Sequence, residues 1–313
     1  PTGTTSDPST TDASTTDPTT EGTTTTTSDP TTTSTSTTGP MTTSTTGDPN
    51  DVCARWLGDR ADLAEGAWSG DGNACQAGDV AAPGRANALK SINLYRWLAD
   101  LPEVADDPTR NAKSQACALM MHANGQLSHT PPMNWKCYSG DGSEAAGKSN
   151  IAGAPGVEAI DLYMADPGNA TTFGHRRWIL SNGLGPVGIG STSNYSCLWV
   201  IGGNGGGNNA YTAWPAPGEF PIQAMTASWQ SVDQTGWTIQ SSAIDLKAAQ
   251  VKITMDGADK PVTVAQLQAN YGSSQAISMV PQGWTSQAGK TYSVAVSGVN
   301  PPIQYDVTFV DCQ

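Results

Sequence analysis

The stretch GHRRWIL, residues 174–180, joins a histidine and two arginines to an abrupt apolar run, Trp178, Ile179 and Leu180. Only two other histidines occur in the chain, His122 and His129. Arg176 and Arg177 precede Ile179 by three and two positions, so on a short helix they leave it in different directions from the apolar side chains. One arginine is expected to pair with a carboxylate such as Asp161 or Asp166 and so fix the element that presents His175. A solvated face is the alternative for either arginine. The stretch reads as a presentation device: an apolar plug, a basic clamp formed by Arg176 and Arg177, and an exposed imidazole.

Working outward, GRANALKSINLYRWLADL (84–101) spaces Leu89, Ile92, Leu94, Tyr95, Trp97 and Leu98 for a helix. A second helix is better marked. Asp106 or Asp107 can cap it, Pro108 suits its first turn, and Gly125 lies near its end. Ala112, Ala116, Leu119, Met120, Ala123 and Leu127 form its apolar stripe, and His122 lies off that stripe as a helix residue without chemistry. Residues 127–153 read as a long irregular connection, the kind of loop that usually carries function. A third helix, 156–165, stops before Pro167, and VGIGS (187–191) and CLWVIGG (197–203) read as strands.

The segment WPAPG (214–218) breaks this pattern. Beyond it TASWQSV, AQVKITMDG, PVTVAQL, AISMVPQG, TYSVAVSGV and IQYDVTFVD follow one another with turn signals between them. Val251, Ile253 and Met255, then Tyr292, Val294 and Val296, alternate with period two, as in a small β-sandwich. Trp229, Trp237 and Trp284 are expected in its core rather than on a carbohydrate-binding platform. The body thus divides at 51–213 and 214–313, with an α+β part first and an all-β part second.

Residues 1–50 are almost wholly Thr, Ser, Pro, Gly and Asp, with Met41 the one large apolar side chain. Such a segment cannot bury enough surface to offset its ordering entropy, so a disordered, solvated stalk is expected. Six of the chain's 28 acidic residues and none of its 15 basic ones lie there, leaving 22 against 15, a net of −7, for the body. That balance, without Lys/Arg-rich runs, argues against nucleic acid and anionic membranes as partners. No apolar run approaches the roughly twenty residues of a membrane span. The chain does not open on Met and an apolar leader, so it reads as a mature form whose export signal is inferred.

The six cysteines, Cys53, Cys75, Cys117, Cys137, Cys197 and Cys312, are widely spaced with no CxxC pair. Oxidised pairs in an extracytoplasmic protein are expected. Six cysteines allow 15 pairings; the most local choice is Cys53 with Cys75, Cys117 with Cys137, and Cys197 with Cys312.

The order of these marks resembles the CAP superfamily of cysteine-rich secretory proteins, antigen 5 and plant pathogenesis-related proteins. INLYRWLADLPEVADD (92–107) resembles the family's opening helix, and ALMMHANGQLSHTPP (118–132) the helix that delivers the first cavity histidine, which assigns that role to His129. KSNIAG (148–153) resembles the Glu-Asn-(Leu/Ile)-Ala motif, and AIDLYMADPGNATTFGHRRWIL (159–180) the bacterial form of the segment that ends in Gly-His-Arg. The likeness runs from about residue 86 to 201, and the β-like remainder resembles the C-terminal extension of bacterial members. It implies a three-layer α-β-α sandwich followed by an immunoglobulin-like β-sandwich, with a cleft lined by His129, His175 and two acids. Ser149 stands where the motif has its glutamate. Glu144 is the nearest upstream carboxylate, and Asp161 or Asp166 takes the second acidic place.

Two converging imidazoles can hold a divalent metal such as zinc, weakly and with open positions. The expected function is binding a ligand at the cleft of His129, His175, Glu144, Ser149 and Asp166. That ligand is a small molecule, lipid, glycan or protein, bound by a monomer at the cell surface or outside it, with a lipid anchor upstream of the stalk. The competing class is a metal-assisted hydrolase acting on peptide or cell-wall material. Ser128, Ser143 and Ser149 are available hydroxyls, but no Gly-x-Ser-x-Gly elbow occurs. Glu144 and Asp166 would be a carboxylate pair for glycoside hydrolysis, but nothing in the sequence places them at a working separation.

Overall fold

The structure, a computed structural model, describes residues 51–313. The stalk read over 1–50 lies outside the described residues. Helix α1 (Val52–Arg60) starts at Asp51, whose carboxylate accepts from the Cys53 and Ala54 amides. Helix α2 is Ala82–Leu98. Helix α3 (Pro108–Asn124) has the anticipated ends, with the Asp107 side chain accepting from the Arg110 amide and Gly125 left-handed at the close.

The connection read as irregular contains two elements, α4 (Gly140–Ala146) and β1 (Ser149–Ala152). The Ser139 hydroxyl caps α4, a local signal that the glycines around it obscured. Helix α5 (Gly156–Ala165) is capped from a distance, because the Glu65 carboxylate accepts from the Val157 and Glu158 amides. Then come α6 (Gly174–Ile179), β2 (Gly188–Ser191) and β3 (Ser196–Trp199).

Strands β1, β3 and β2 form an antiparallel sheet in that order, with Ile151 opposite Cys197 and Ile189 opposite Leu198. Alternation sorts its two faces. Ile151, Cys197 and Trp199 pack with Cys117, Met121 and Ala145 of α3 and α4. Ile189 and Leu198 join Ile92, Tyr95 and Ile160 of α2 and α5. A Cβ at Gly190 would lie 2.1 Å from the Ser114 backbone, so α3 rests directly on β2 only because glycine stands there. The layers are α-β-α, as the resemblance implied.

The rest is β-rich. Strands β4 (Thr212–Trp214) and β5 (Gly218–Pro221) precede α7 (Val232–Thr235), followed by β6 (Trp237–Ser241), β7 (Gln250–Met255), β8 (Ala258–Asp259) and β9 (Val262–Gln266). Strands β10 (Gln275–Pro281), β11 (Thr291–Ser297) and β12 (Ile303–Val310) complete it. The sheets run β4-β6-β10-β9 and β5-β12-β11-β7-β8. They face each other through Trp237 of the first, packed edge-on against Tyr292 and Phe309 of the second.

Two expectations are corrected here. TASWQSV forms no strand, because the reciprocal bonds of Ser231 and Gln234 start α7 instead. Trp229 is 79% exposed, whereas Trp237 is fully buried and Trp284 stacks on Tyr292.

One apolar cluster runs through both parts. Tyr95 of α2 meets the Trp214 ring edge-on at 5.6 Å, and Trp214 meets Phe220 at 4.8 Å. All six cysteines are oxidised, but none in the local pairing: the bonds are Cys53–Cys312, Cys75–Cys137 and Cys117–Cys197. Tertiary packing overrides sequence proximity, since α3 lies on β3 and α1 lies beside β5, where Cys312 at the chain's end reaches Cys53. Among the described residues no helix is long and apolar enough to cross a membrane.

Candidate functional site: a histidine cleft

A cavity of about 400 Å3 opens on one side of the first sheet. His129, from the loop after α3, and His175, in the first turn of α6, both line it. Ser149 and Asn150 of β1 and Gly147 before it form the floor, with Asn169, Thr171 and Thr172 from the α5–α6 connection along one side. Trp178, Ile201 and Tyr271 supply apolar surface.

Each imidazole is held at Nδ1. His129 Nδ1 lies 2.9 Å from the Ala146 carbonyl, and His175 Nδ1 lies 2.9 Å from Asp166 Oδ1. A carbonyl or carboxylate oxygen only accepts, so both Nδ1 atoms carry the proton and both Nε2 atoms keep a lone pair when the rings are neutral. Asp166 is 1% exposed and lies behind His175 rather than in the lining. Its carboxylate also accepts from the Asn169 side-chain amide at 2.7 Å and the Arg176 backbone amide at 3.2 Å. The Tyr163 ring packs 5.0 Å from His175, and burial pushes its phenol pKa up, so it stays neutral.

Glu144 lies elsewhere. Its carboxylate pairs with Lys113 at 2.6 Å and Lys148 at 3.6 Å on the exposed face of α4, and the Lys113 ammonium holds it below the usual carboxylate range. Asp161 is likewise committed, accepting two bonds from Arg60 and one from Tyr95. Ser149, in the place of the motif's glutamate, lines the cavity, and its hydroxyl is buried with no partner among the described residues. His122 stands apart, stacked beside Trp68 at 4.7 Å with its Nδ1 on the Thr192 hydroxyl.

The arginines are neither solvated nor paired with a side-chain carboxylate. Arg176 donates to the Met164, Ala165 and Gly236 carbonyls and to the hydroxyls of Thr235 and Thr238. Arg177 donates to the carbonyls of Thr172, Gln268 and Ser273 and to the Ser273 hydroxyl. Burial lowers both guanidinium pKa values to about 10, which leaves them cationic at neutral pH. A third buried arginine, Arg96, caps the far end of α6 at the Ile179 and Ser181 carbonyls.

Residues 89–202 match the model of the cysteine-rich secretory protein family. Over that stretch the chain is similar to CAP domains. Neither the curated proteins nor the solved structures give a significant match. His129, His175 and Ser149, each singled out in the sequence, line this one cavity. Asn169, Thr171 and Thr172 were not singled out, although the polar run GNATT between Pro167 and Gly174 was the available signal. Tyr271 lies 96 residues beyond His175 and had none.

Proposed function

We propose that the CAP domain binds a ligand in the His129–His175 cleft without transforming it, on an exported, surface-tethered protein of the bacterial type. The observation that carries this reading is the pair of imidazoles lining one cavity with both Nδ1 atoms engaged and, among the described residues, no hydrogen-bond partner at either Nε2. Three disulfides support export.

The residues fit a weakly held divalent metal. Backbone-held and carboxylate-held histidines are the usual supports of metal-ligating imidazoles. Among the described residues no cluster of three or more His, Cys, Asp or Glu side chains forms a cage, so a metal here would have His129 and His175 as its protein ligands and leave the remaining positions open. A zinc ion there would act as a Lewis acid toward a ligand oxygen. The three histidines make the test clean. Zinc titrated into the isotope-labelled protein is expected to shift the imidazole resonances of His129 and His175 together and leave His122 unmoved. Equal response of all three, or none from the cleft pair, overturns the reading.

The metal-assisted hydrolase is the second reading, favoured by one observation: Asp166 orients His175 as an acid orients a general base. Peptide and cell-wall substrates turned over in a chelator-sensitive way that His175→Ala abolishes would establish it over simple binding.

A further inference from the structure

Part of the cleft lining comes from outside the region that matches the family model. Tyr271 lies in the β9–β10 connection of the β-rich part, yet it lines the same cavity as His175 and Trp178. Its loop is clamped rather than draped. Arg177 donates to the carbonyls of Gln268 and Ser273 on either side of it, the Ser181 hydroxyl donates to the Gly272 carbonyl, and the Gln268 amide donates to the Thr171 carbonyl. Gly272 has φ +71°, and a Cβ there would lie 2.3 Å from the Arg177 carbonyl oxygen. A side chain at that position would be both strained and blocked.

The ring itself is placed from two directions. The Arg177 guanidinium lies 5.8 Å from its centroid. A Cβ added to Gly174 would come within 2.8 Å of Tyr271 Cδ1, so the ring packs against bare backbone beside His175. The glycine that opens GHRRWIL makes room for an aromatic from the distant β-rich part.

The geometry points to an uncharged saccharide as the ligand of this cleft, with Tyr271 and Trp178 as its apolar contacts. This inference rests on the cleft reading above. Among the described residues the lining contains no Lys, Arg, Asp or Glu, so a charged ligand would leave water without a counterion. A lipid chain would cover the amides of Asn150 and Asn169, the hydroxyls of Thr171 and Thr172 and both imidazoles without bonding them. A sugar ring presents apolar C–H faces and a rim of hydroxyls that both donate and accept. The two aromatics match the faces; the amides, hydroxyls and Nε2 lone pairs match the rim. The volume suits one or two sugar units.

Isothermal titration of the full chain with neutral tetrasaccharides of glucose and of N-acetylglucosamine tests this, with a galacturonate tetramer as the charged counterpart. At least one neutral probe is expected to bind, and the charged one about tenfold or more weaker. Tyr271→Ala and His175→Ala are each expected to weaken the neutral complex by about tenfold, the scale of one lost contact. Tyr271→Phe keeps the ring and is expected to bind within about threefold of wild type, which separates ring contact from a loss of folding. Binding unchanged in Tyr271→Ala, or a preference for the charged probe, overturns the proposal. Failure of every neutral probe while zinc still shifts His129 and His175 overturns the saccharide alone. Failure of both probes and zinc overturns the cleft reading with it.

Discussion

At the scale of single residues, Asp166 and Glu144 show how burial decides the role of a carboxylate. Asp166 is enclosed and donates orientation: it accepts from His175 Nδ1, from Asn169 and from the Arg176 backbone amide. Replacing it with asparagine keeps the shape but removes the charge that holds His175 in the Nδ1–H tautomer. Asp166→Asn is expected to weaken zinc uptake by about tenfold or more, the usual cost of losing such a supporting acid, as read by calorimetric titration. Glu144 is an exposed partner of two lysines. Glu144→Gln is expected to leave zinc uptake and the His175 resonance unchanged; any weakening would mean the α4 loop closes over the cleft.

At the scale of elements, α6 is a six-residue helix too short to be stable by itself, and neighbouring side chains hold its C-terminal carbonyls. Arg96 and Gln240 take the carbonyls at its C-terminal end, while Arg176 and Arg177 bind it to neighbours on both sides. Arg176→Met would remove five bonds and leave the Met164, Ala165 and Gly236 carbonyls buried without donors. At about 1–3 kcal/mol for each orphaned group, a loss of at least about 3 kcal/mol is expected from urea unfolding. Losses below about 1 kcal/mol would show that water replaces the guanidinium. The partners of both arginines are main-chain carbonyls and hydroxyls, not the carboxylate that was expected. Carbonyls leave no trace in the order of side chains, which is why Asp161 and Asp166 looked like the natural partners.

At the scale of the whole molecule, the α-β-α part and the β-rich part share one core, joined through Tyr95, Trp214 and Phe220. Cys53–Cys312 closes a loop of 259 residues around both. Converting Cys53 and Cys312 to serine is expected to cost about 4 kcal/mol and to lower the thermal midpoint in a scan, because so long a loop regains much chain entropy when opened. A fragment of residues 51–211 would lose the Arg176 partners Thr235, Gly236 and Thr238, the Arg177 partners Gln268 and Ser273, and the Trp214 ring that packs on Tyr95. It is expected to lose near-ultraviolet dichroism and cooperative unfolding, whereas an independent domain would keep both.

Local chemistry is written in the sequence, so several features could be read there. The caps and stripe of α3, the end of α5 before Pro167 and the alternation on β7, β11 and β12 depend on neighbours a few residues apart. The two histidines and Ser149 were found through ordered motifs that match a CAP domain. The disulfide partners, the carbonyl sockets of Arg176 and Arg177, the withdrawal of Glu144 to the surface and the arrival of Tyr271 beside Gly174 were decided only by tertiary packing. Each depends on which surfaces meet across dozens of residues, and that is settled by burying one shared core rather than by any signal in the chain nearby.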